Sequence, residues 1–163
     1  MLRIITVNLN GIRSAATKGY YPWLARQRAH VVCMQEVKAQ EADLGPDMLQ
    51  PRGWHAGFHC AEKRGYSGVA LCAKKQPDRM VSGIGVPEFD AEGRYLRADF
   101  GNLSVVSVYL PSGSSSDERQ AAKFRFLEHF LPFLRALRDE GREFVLCGDW
   151  NIAHKEIDLR NWR

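Results

Sequence analysis

The sequence predicts a mixed α/β layered fold. Three observations carry this. Apolar runs of strand length dominate the chain, two segments show helical periodicity, and the longer of them separates the last two strand runs. With 163 residues, 45% of them hydrophobic and 26% charged, the chain suits one ordinary globular domain with a sizeable core.

The elements follow in order. Leu2–Val7 is a short β-branched run. Tyr21–Ala29 reads as a helix with Pro22 near its start, where a missing N–H is harmless. Val31–Gln35 is a second strand, and Leu44–Leu49 adds a short helical turn. Trp54–Cys60 alternates loosely, and Gly68–Ala73 follows a Gly65-Tyr66-Ser67-Gly68 turn. Met80–Val86, Tyr95–Phe100 and Leu103–Leu110 read as antiparallel strands with short links, and Asp99-Phe100-Gly101-Asn102 as a tight hairpin connection. A long helix is expected from about Asp117 to Asp139, with Ser115 and Glu118 as a capping box and Gly141 as its stop. Phe126, Phe130, Phe133/Leu134 and Leu137 share one face at helical spacing and read as core, while Pro132 predicts a kink or break. Phe144–Cys147 is a short buried strand, after which no closing element is recognisable before Arg163.

Bulk properties exclude several classes. No apolar run reaches membrane-spanning length, and Met1–Val7 turns polar too soon for a signal peptide, which points to the cytoplasm. Cys33, Cys60, Cys72 and Cys147 form no C-x-x-C pair and lie in or beside apolar runs, so they read as reduced core thiols. The five histidines do not cluster with them as a zinc site requires. A net charge of +4 is mild; it slightly favours polyanionic partners and is equally explained by solvated surface charge.

Several polar residues share one placement directly behind an apolar strand: Asn8 and Asn10, Glu36, Tyr109, and Asp149 with Asn151. Gathered at one sheet edge, they form an oxygen-rich cluster suited to Mg²⁺ or Mn²⁺ rather than zinc. Each also has an ordinary explanation. Asn8 and Asn10 before Gly11 fit a turn, Glu36 can pair with Lys38, Tyr109 fits a half-buried strand, and Asp149 after Gly148 can cap a loop. The joint pattern is what favours a site.

The segments Asn8-Leu9-Asn10-Gly11-Ile12-Arg13, Gln35-Glu36-Val37-Lys38, Gly65-Tyr66-Ser67-Gly68-Val69, Val108-Tyr109-Leu110-Pro111-Ser112-Gly113 and Gly148-Asp149-Trp150-Asn151-Ile152-Ala153-His154 together resemble the exodeoxyribonuclease III-like AP endonucleases, of the DNase I-like endonuclease/exonuclease/phosphatase superfamily. The resemblance runs from residue 2 to 163, in family order and spacing. It implies a β-sandwich flanked by helices, of which this chain is the N-terminal part. It implies metal ligation by Glu36 and Asn8, with Asp149 and Asn151 beside them. Asp149 resembles the residue that orients or deprotonates the attacking water, Asn151 holds phosphate or metal, and Tyr109 stabilises charge on the scissile phosphate. Tyr66 and Ser112 resemble DNA-backbone contacts, with Asn10, Arg13, Lys38, Lys63 and Arg64 as further contacts.

The implied activity is metal-dependent cleavage of double-stranded DNA at abasic sites and 3′ ends, in base-excision repair, by a monomer. Members of the family run further and carry a second metal-site Asp and an Asp-His pair, whose His is central to catalysis. Nothing in residues 155–163 replaces that His, and His154 reads as structural. The chain is accordingly expected to supply about one sheet and part of its helical cover. It should expose sheet face and strand edges, and pair with a missing C-terminal half. Two alternatives stand beside this: a catalytically inert DNA-binding fragment, and a member of the superfamily's phosphatase or lipid phosphodiesterase branches. The Arg64-Gly65-Tyr66 loop and Trp150 fit DNA repair better than the latter.

Overall fold

A computed structural model describes residues 1–113 and 116–159. The elements run β1 (Ile4–Asn8), α1 (Ile12–Thr17), α2 (Tyr20–Arg26), β2 (Val31–Gln35), a 3₁₀ turn (Glu41–Asp43), α3 (Pro46–Leu49), β3 (His55–His59) and β4 (Val69–Ala73). Then follow β5 (Arg79–Ser82), α4 (Pro87–Asp90), β6 (Tyr95–Phe100), β7 (Leu103–Tyr109), α5 (Asp117–Asp139), β8 (Glu143–Asp149) and a 3₁₀ turn at Glu156–Asp158.

The strands form two four-stranded sheets, ordered β1-β2-β4-β3 and β5-β6-β7-β8. This corrects the expectation of about one sheet: the chain contributes to both layers of a sandwich. Most neighbours are antiparallel, but β1 pairs with β2 and β7 with β8 in parallel.

Strand periodicity explains the layering. In β2, Val31 and Cys33 point between the sheets, where they meet Val69, Leu71 and Ala73 of β4 and Leu96, Ala98 and Val105 of the other sheet. Val32 and Met34 point outward and are covered by Ile12, Tyr20 and Leu24 of α1 and α2. The outer face of the second sheet, through Tyr95, Val106 and Val108, is covered by Phe126, Phe130 and Leu137 of α5 and Phe89 of α4. Both faces of β2 and β4 are thus buried, which is why their sequences are continuous apolar runs without alternation. The central strands are therefore covered on both faces, while β1 and β8 keep part of the expected exposure along their length. The strand edges at β1 and β8 are half-exposed.

Other boundaries depart from the sequence reading for local reasons. β5 ends at Ser82 because Gly83 and Gly85 take left-handed φ of 80° and 82°. The Asp90 carboxylate then accepts from Ile84 N (2.7 Å) and Gly85 N (3.0 Å), fixing a loop in place of a strand. α5 is one unbroken 23-residue helix through Pro132, so no break occurs there. Pro132 and Glu128, whose carbonyl the proline leaves unpaired, both lie on the exposed side. The buried Phe126, Phe130 and Leu137 face holds the helix across that gap. Its N-cap is Ser116, whose side chain accepts from Arg119 N; Ser115 lies outside the described residues. β8 extends to Asp149 because Gly148 leaves room for the Val108 carbonyl, into which any side chain would collide. All four cysteines are free, and no described helix is long and apolar enough to cross a membrane.

The C-terminal end of α5 is tied to β6 by charge. Buried Arg97 donates to both Glu140 oxygens (2.9 and 2.8 Å) and to Asp99 Oδ1 (2.6 Å), which also accepts from Ser104 (2.7 Å). Burial disfavours the ionised form of Asp99, but Arg97, Ser104 and Arg142 outweigh it and hold the carboxyl below its usual value. Glu140 is held down chiefly by Arg97.

Two outcomes follow from this packing. Leu71→Ala, in the inter-sheet core, lowers unfolding free energy by about 3 kcal/mol in chemical denaturation, whereas Phe124→Ala on the exposed side of α5 changes it by less than about 0.5 kcal/mol. Because Asp99 and Glu140 titrate lower folded than unfolded, their contribution is complete above pH of about 5 and is lost as pH falls below about 4. Glu140→Gln therefore destabilises the protein more at pH 7 than at pH 3, as thermal melts at the two pH values will show.

Candidate active site

The inter-sheet layer changes character along the strands. Its middle is apolar, with Val31, Cys33 and Val105. One pleat further it becomes polar. Thr6 Oγ1 donates to Gln35 Oε1 (3.2 Å), Gln35 Nε2 to Ser107 Oγ (3.0 Å), and Ser107 Oγ to the Met34 carbonyl (3.0 Å). Gln35 is only 1% exposed, and this crosslink satisfies its amide. At the strand ends the layer opens into a cleft of about 750 Å³, lined in part by Asn8, Gln35, Ser112, Asp149 and Asn151.

Parallel pairing brings the carboxyl ends together. β1 and β2 run in register Asn8↔Gln35, and β7 and β8 in register Tyr109↔Asp149. Asn8 Nδ2 then donates to Glu36 Oε1 (2.8 Å) and to Asp149 Oδ2 (3.1 Å), so one amide spans the two sheets. Tyr109 OH donates to the same Glu36 oxygen (3.2 Å), and Lys38 Nζ pairs with Glu36 Oε2 (2.6 Å). Asn10 completes the first group: its N–H donates to Asn8 Oδ1 (3.0 Å) and its side-chain oxygen accepts from Lys38 (2.7 Å). Asn151 N–H donates to Asp149 Oδ1 (3.1 Å), its amide nitrogen donates to the Leu110 carbonyl (2.8 Å), and its own carbonyl accepts from Lys123 (2.6 Å).

The backbone here is unusual. Asn10, Glu36, Lys38 and Asn151 have φ of 47°, 53°, 49° and 48°, the left-handed region that residues with a side chain seldom enter. Main-chain bonds hold the first three there: Leu9 N to Gln35 O, Gly11 N to Glu36 O, Ile12 N to Val37 O, Val37 N to Gly68 O and Lys38 N to Ser67 O, all between 2.7 and 3.0 Å. Strain of this kind gathers at sites that the surrounding fold over-determines.

Charge follows geometry. Burial opposes ionisation of Glu36, yet Lys38, Asn8 and Tyr109 together hold its carboxyl below the usual value, so it is a carboxylate at neutral pH. Burial, reinforced by the Glu36 charge, pushes the Tyr109 phenol up to about 12, with Arg94 opposing; it remains a donor. The carboxylates Glu36 and Asp149, with the Asn8 and Asn151 amides beside them, form a hard set of the type that holds a strongly hydrated divalent ion without a closed cage; here the Asn8 amide turns its nitrogen to the acids and its oxygen to Asn10. Lys38 already sets a cation against Glu36 Oε2. Among the described residues no three His, Cys, Asp or Glu side chains cluster as a metal site.

The remaining expected positions lie elsewhere. Arg13, Lys63 and Arg64 are exposed. Lys63 lies 5.5 Å from the Tyr66 ring centroid. The Tyr66 hydroxyl is committed to a separate cluster: it accepts from Arg94 (3.0 Å) and Arg119 (2.8 Å) and donates to Glu92 (3.2 Å). His154 is exposed rather than packed, so a structural part for it is not supported.

Sequence reading missed Gln35 as an inter-sheet crosslink, although a glutamine closing an apolar run was its signal. It also missed Arg94, 3% exposed, which donates to the Tyr109 carbonyl (3.0 Å) and packs between the Tyr66 and Tyr109 rings. An arginine between a turn and a strand gives no such hint.

Fold and site define a class: a helix-covered two-sheet sandwich with an acidic, oxygen-rich site at its strand ends. The chain belongs to the endonuclease/exonuclease/phosphatase family, whose model matches residues 5–163. It is 37% identical to an exodeoxyribonuclease of Bacillus subtilis, over 98% of this chain and 62% of that protein. It is 35% identical to a DNA repair nuclease of Danio rerio, over 98% of this chain and 52% of that protein. An AP endonuclease structure from Archaeoglobus fulgidus superimposes with a TM-score of 0.86 at 31% identity, over 99% of this chain and 62% of that one. The chain thus spans less than two thirds of these relatives' length.

The coupling between Glu36 and Tyr109 can be measured without substrate. In a ¹³Cζ-tyrosine NMR titration Tyr109 ionises near 12, and Glu36→Gln moves it down toward the ordinary value because the neighbouring negative charge is gone. An unchanged midpoint in that variant refutes the contact.

Proposed function

We propose that this chain carries the N-terminal portion of a Mg²⁺- or Mn²⁺-dependent site that hydrolyses DNA phosphodiesters at abasic sites and 3′ ends, as an AP endonuclease with 3′-to-5′ exonuclease and 3′-repair activity. The observation that supports it most is the Asn8 amide joining Glu36 to Asp149, with Tyr109 donating into the same carboxylate.

Phosphodiester hydrolysis needs an in-line water, removal of its proton, and compensation of charge on the phosphate. Asp149 is the carboxylate that takes the proton. Its Oδ1 is held by the Asn151 N–H and its Oδ2 by Asn8, so both oxygens are oriented. Tyr109, kept protonated, donates to a phosphate oxygen, and the Asn151 amide retains a second N–H for the same purpose. Glu36, Asn8, Asp149 and Asn151 are the residues that would hold the divalent ion. When bound, the ion supplies Lewis acidity and a template for phosphate and water. Ser112 on the cleft wall, Asn10 and Lys38 beside Glu36, and the exposed Arg13, Lys63 and Arg64 serve the DNA backbone. Such contacts position the duplex without reading its sequence.

A second reading is DNA binding without turnover, through the cleft-lining and exposed cationic residues alone. One assay separates the two. The 163-residue chain is given Mg²⁺ or Mn²⁺ and a duplex with a single abasic site. Incision that falls by about 10³-fold or more in Glu36→Ala and Asp149→Ala supports hydrolysis. Binding without incision supports the second reading. Full activity in both variants rejects the site assignment.

A further inference from the structure

The first two turns of α5 send two cations in different directions, one to the Tyr66 cluster and one into the cleft. Arg119 Nη1 donates to Tyr66 OH (2.8 Å) on the loop before β4. One helical turn later, Lys123 Nζ donates to the Asn151 carbonyl (2.6 Å) on the loop after β8. The i, i+4 spacing places both side chains on one face of the helix.

The Lys123 contact has a distinct environment. Lys38 is neutralised by Glu36, whereas Lys123 forms no ion pair among the described residues. Its half-buried side chain lines the cleft, and among the described residues its hydrogen bond goes to a main-chain oxygen. A charge-assisted bond of this kind is stronger than a neutral one. The residue it holds is the one with left-handed φ of 48° whose N–H orients Asp149. Asn151 is thereby fixed at three points: its N–H on Asp149, its side-chain amide on Leu110, and its carbonyl under Lys123. Removing the third loosens the peptide after Asn151, so the left-handed conformation that directs the Asn151 N–H at Asp149 is held by two anchors instead of three.

We propose that Lys123 is a positioning residue for Asp149, acting through the backbone of Asn151. It keeps the carboxylate in the orientation that proton removal from water requires. The catalytic part of this inference rests on the hydrolytic reading above; the anchoring part does not.

The test uses the 163-residue chain with Lys123→Met, Lys123→Arg and Arg119→Met. Amide hydrogen exchange at Asn151, followed by NMR, should accelerate about 10-fold in Lys123→Met, return toward the parent rate in Lys123→Arg, and stay unchanged in Arg119→Met. On abasic duplex, kcat should fall about 10- to 100-fold in Lys123→Met with KM within about 2-fold, since misorientation of a reacting group acts on the chemical step. Unchanged exchange at Asn151 in Lys123→Met overturns the anchoring. A loss carried wholly by KM also overturns the proposal and makes Lys123 a phosphate contact instead. Absence of turnover in the unsubstituted chain counts against the hydrolytic reading alone, and the exchange rates then decide the anchoring.

Discussion

The Asn8 side chain is the constraint on which the rest depends. Its amide nitrogen faces Glu36 from its own sheet and Asp149 from the other, so the distance between two carboxylates is set by one planar group. An amide suits this place better than either alternative. A carboxylate would crowd three negative charges together, and an apolar residue would take the Asn8 donor from Asp149 Oδ2 and leave Glu36 Oε1 with Tyr109 alone. The amide oxygen is used as well, taken by Asn10 N–H, which fixes which way the group faces. Alignment of the two sheets and geometry of the acids are therefore one specification.

Much of this was legible in the chain because strand ends announce themselves. A polar residue directly behind an apolar run marked Asn8, Glu36, Tyr109 and Asp149, and the boundaries of β2, β6 and α5 follow from hydrophobic period, a tight turn and a terminal glycine. What was not legible depends on three-dimensional pairing. No local pattern says that Val31 faces Leu96 across a gap while Val32 faces a helix, so the division into two sheets was missed. The six-residue α1 lacks a side-chain cap and falls below the length at which period is readable. β5 was overextended because Ile84 and Val86 look like strand residues, and the Asp90 carboxylate that bends them into a loop lies several residues later. Arg94 and Lys123 were invisible for the same reason: what makes them matter is the residue each reaches, not its own neighbourhood.

The left-handed residues show how the site is kept rigid. Each such position disfavours the folded state by about 1–2 kcal/mol, and four of them stand within one cluster. For the three after β1 and β2 the offset comes from the main-chain bonds that lace these segments to each other and to the Ser67-Gly68 turn, and for Asn151 from its bonds to Asp149, Leu110 and Lys123. Glu36 above all is aimed by backbone geometry more than by rotamer choice. Conservative substitutions there disturb conformation before they disturb chemistry.

The Asn8–Asp149 contact has a kinetic meaning too. Its partners are 141 residues apart, so forming it closes nearly the whole chain into a loop. Local units such as the β6–β7 hairpin and α5 need no such closure, and chains rich in distant pairings fold slowly because that entropy is spent before distant contacts reward it. During synthesis from the N-terminus, Asn8 and Glu36 emerge long before Asp149 exists to join them. The acids thus meet only when β8 docks, and the completed cluster serves as a report that the two sheets have come together in register.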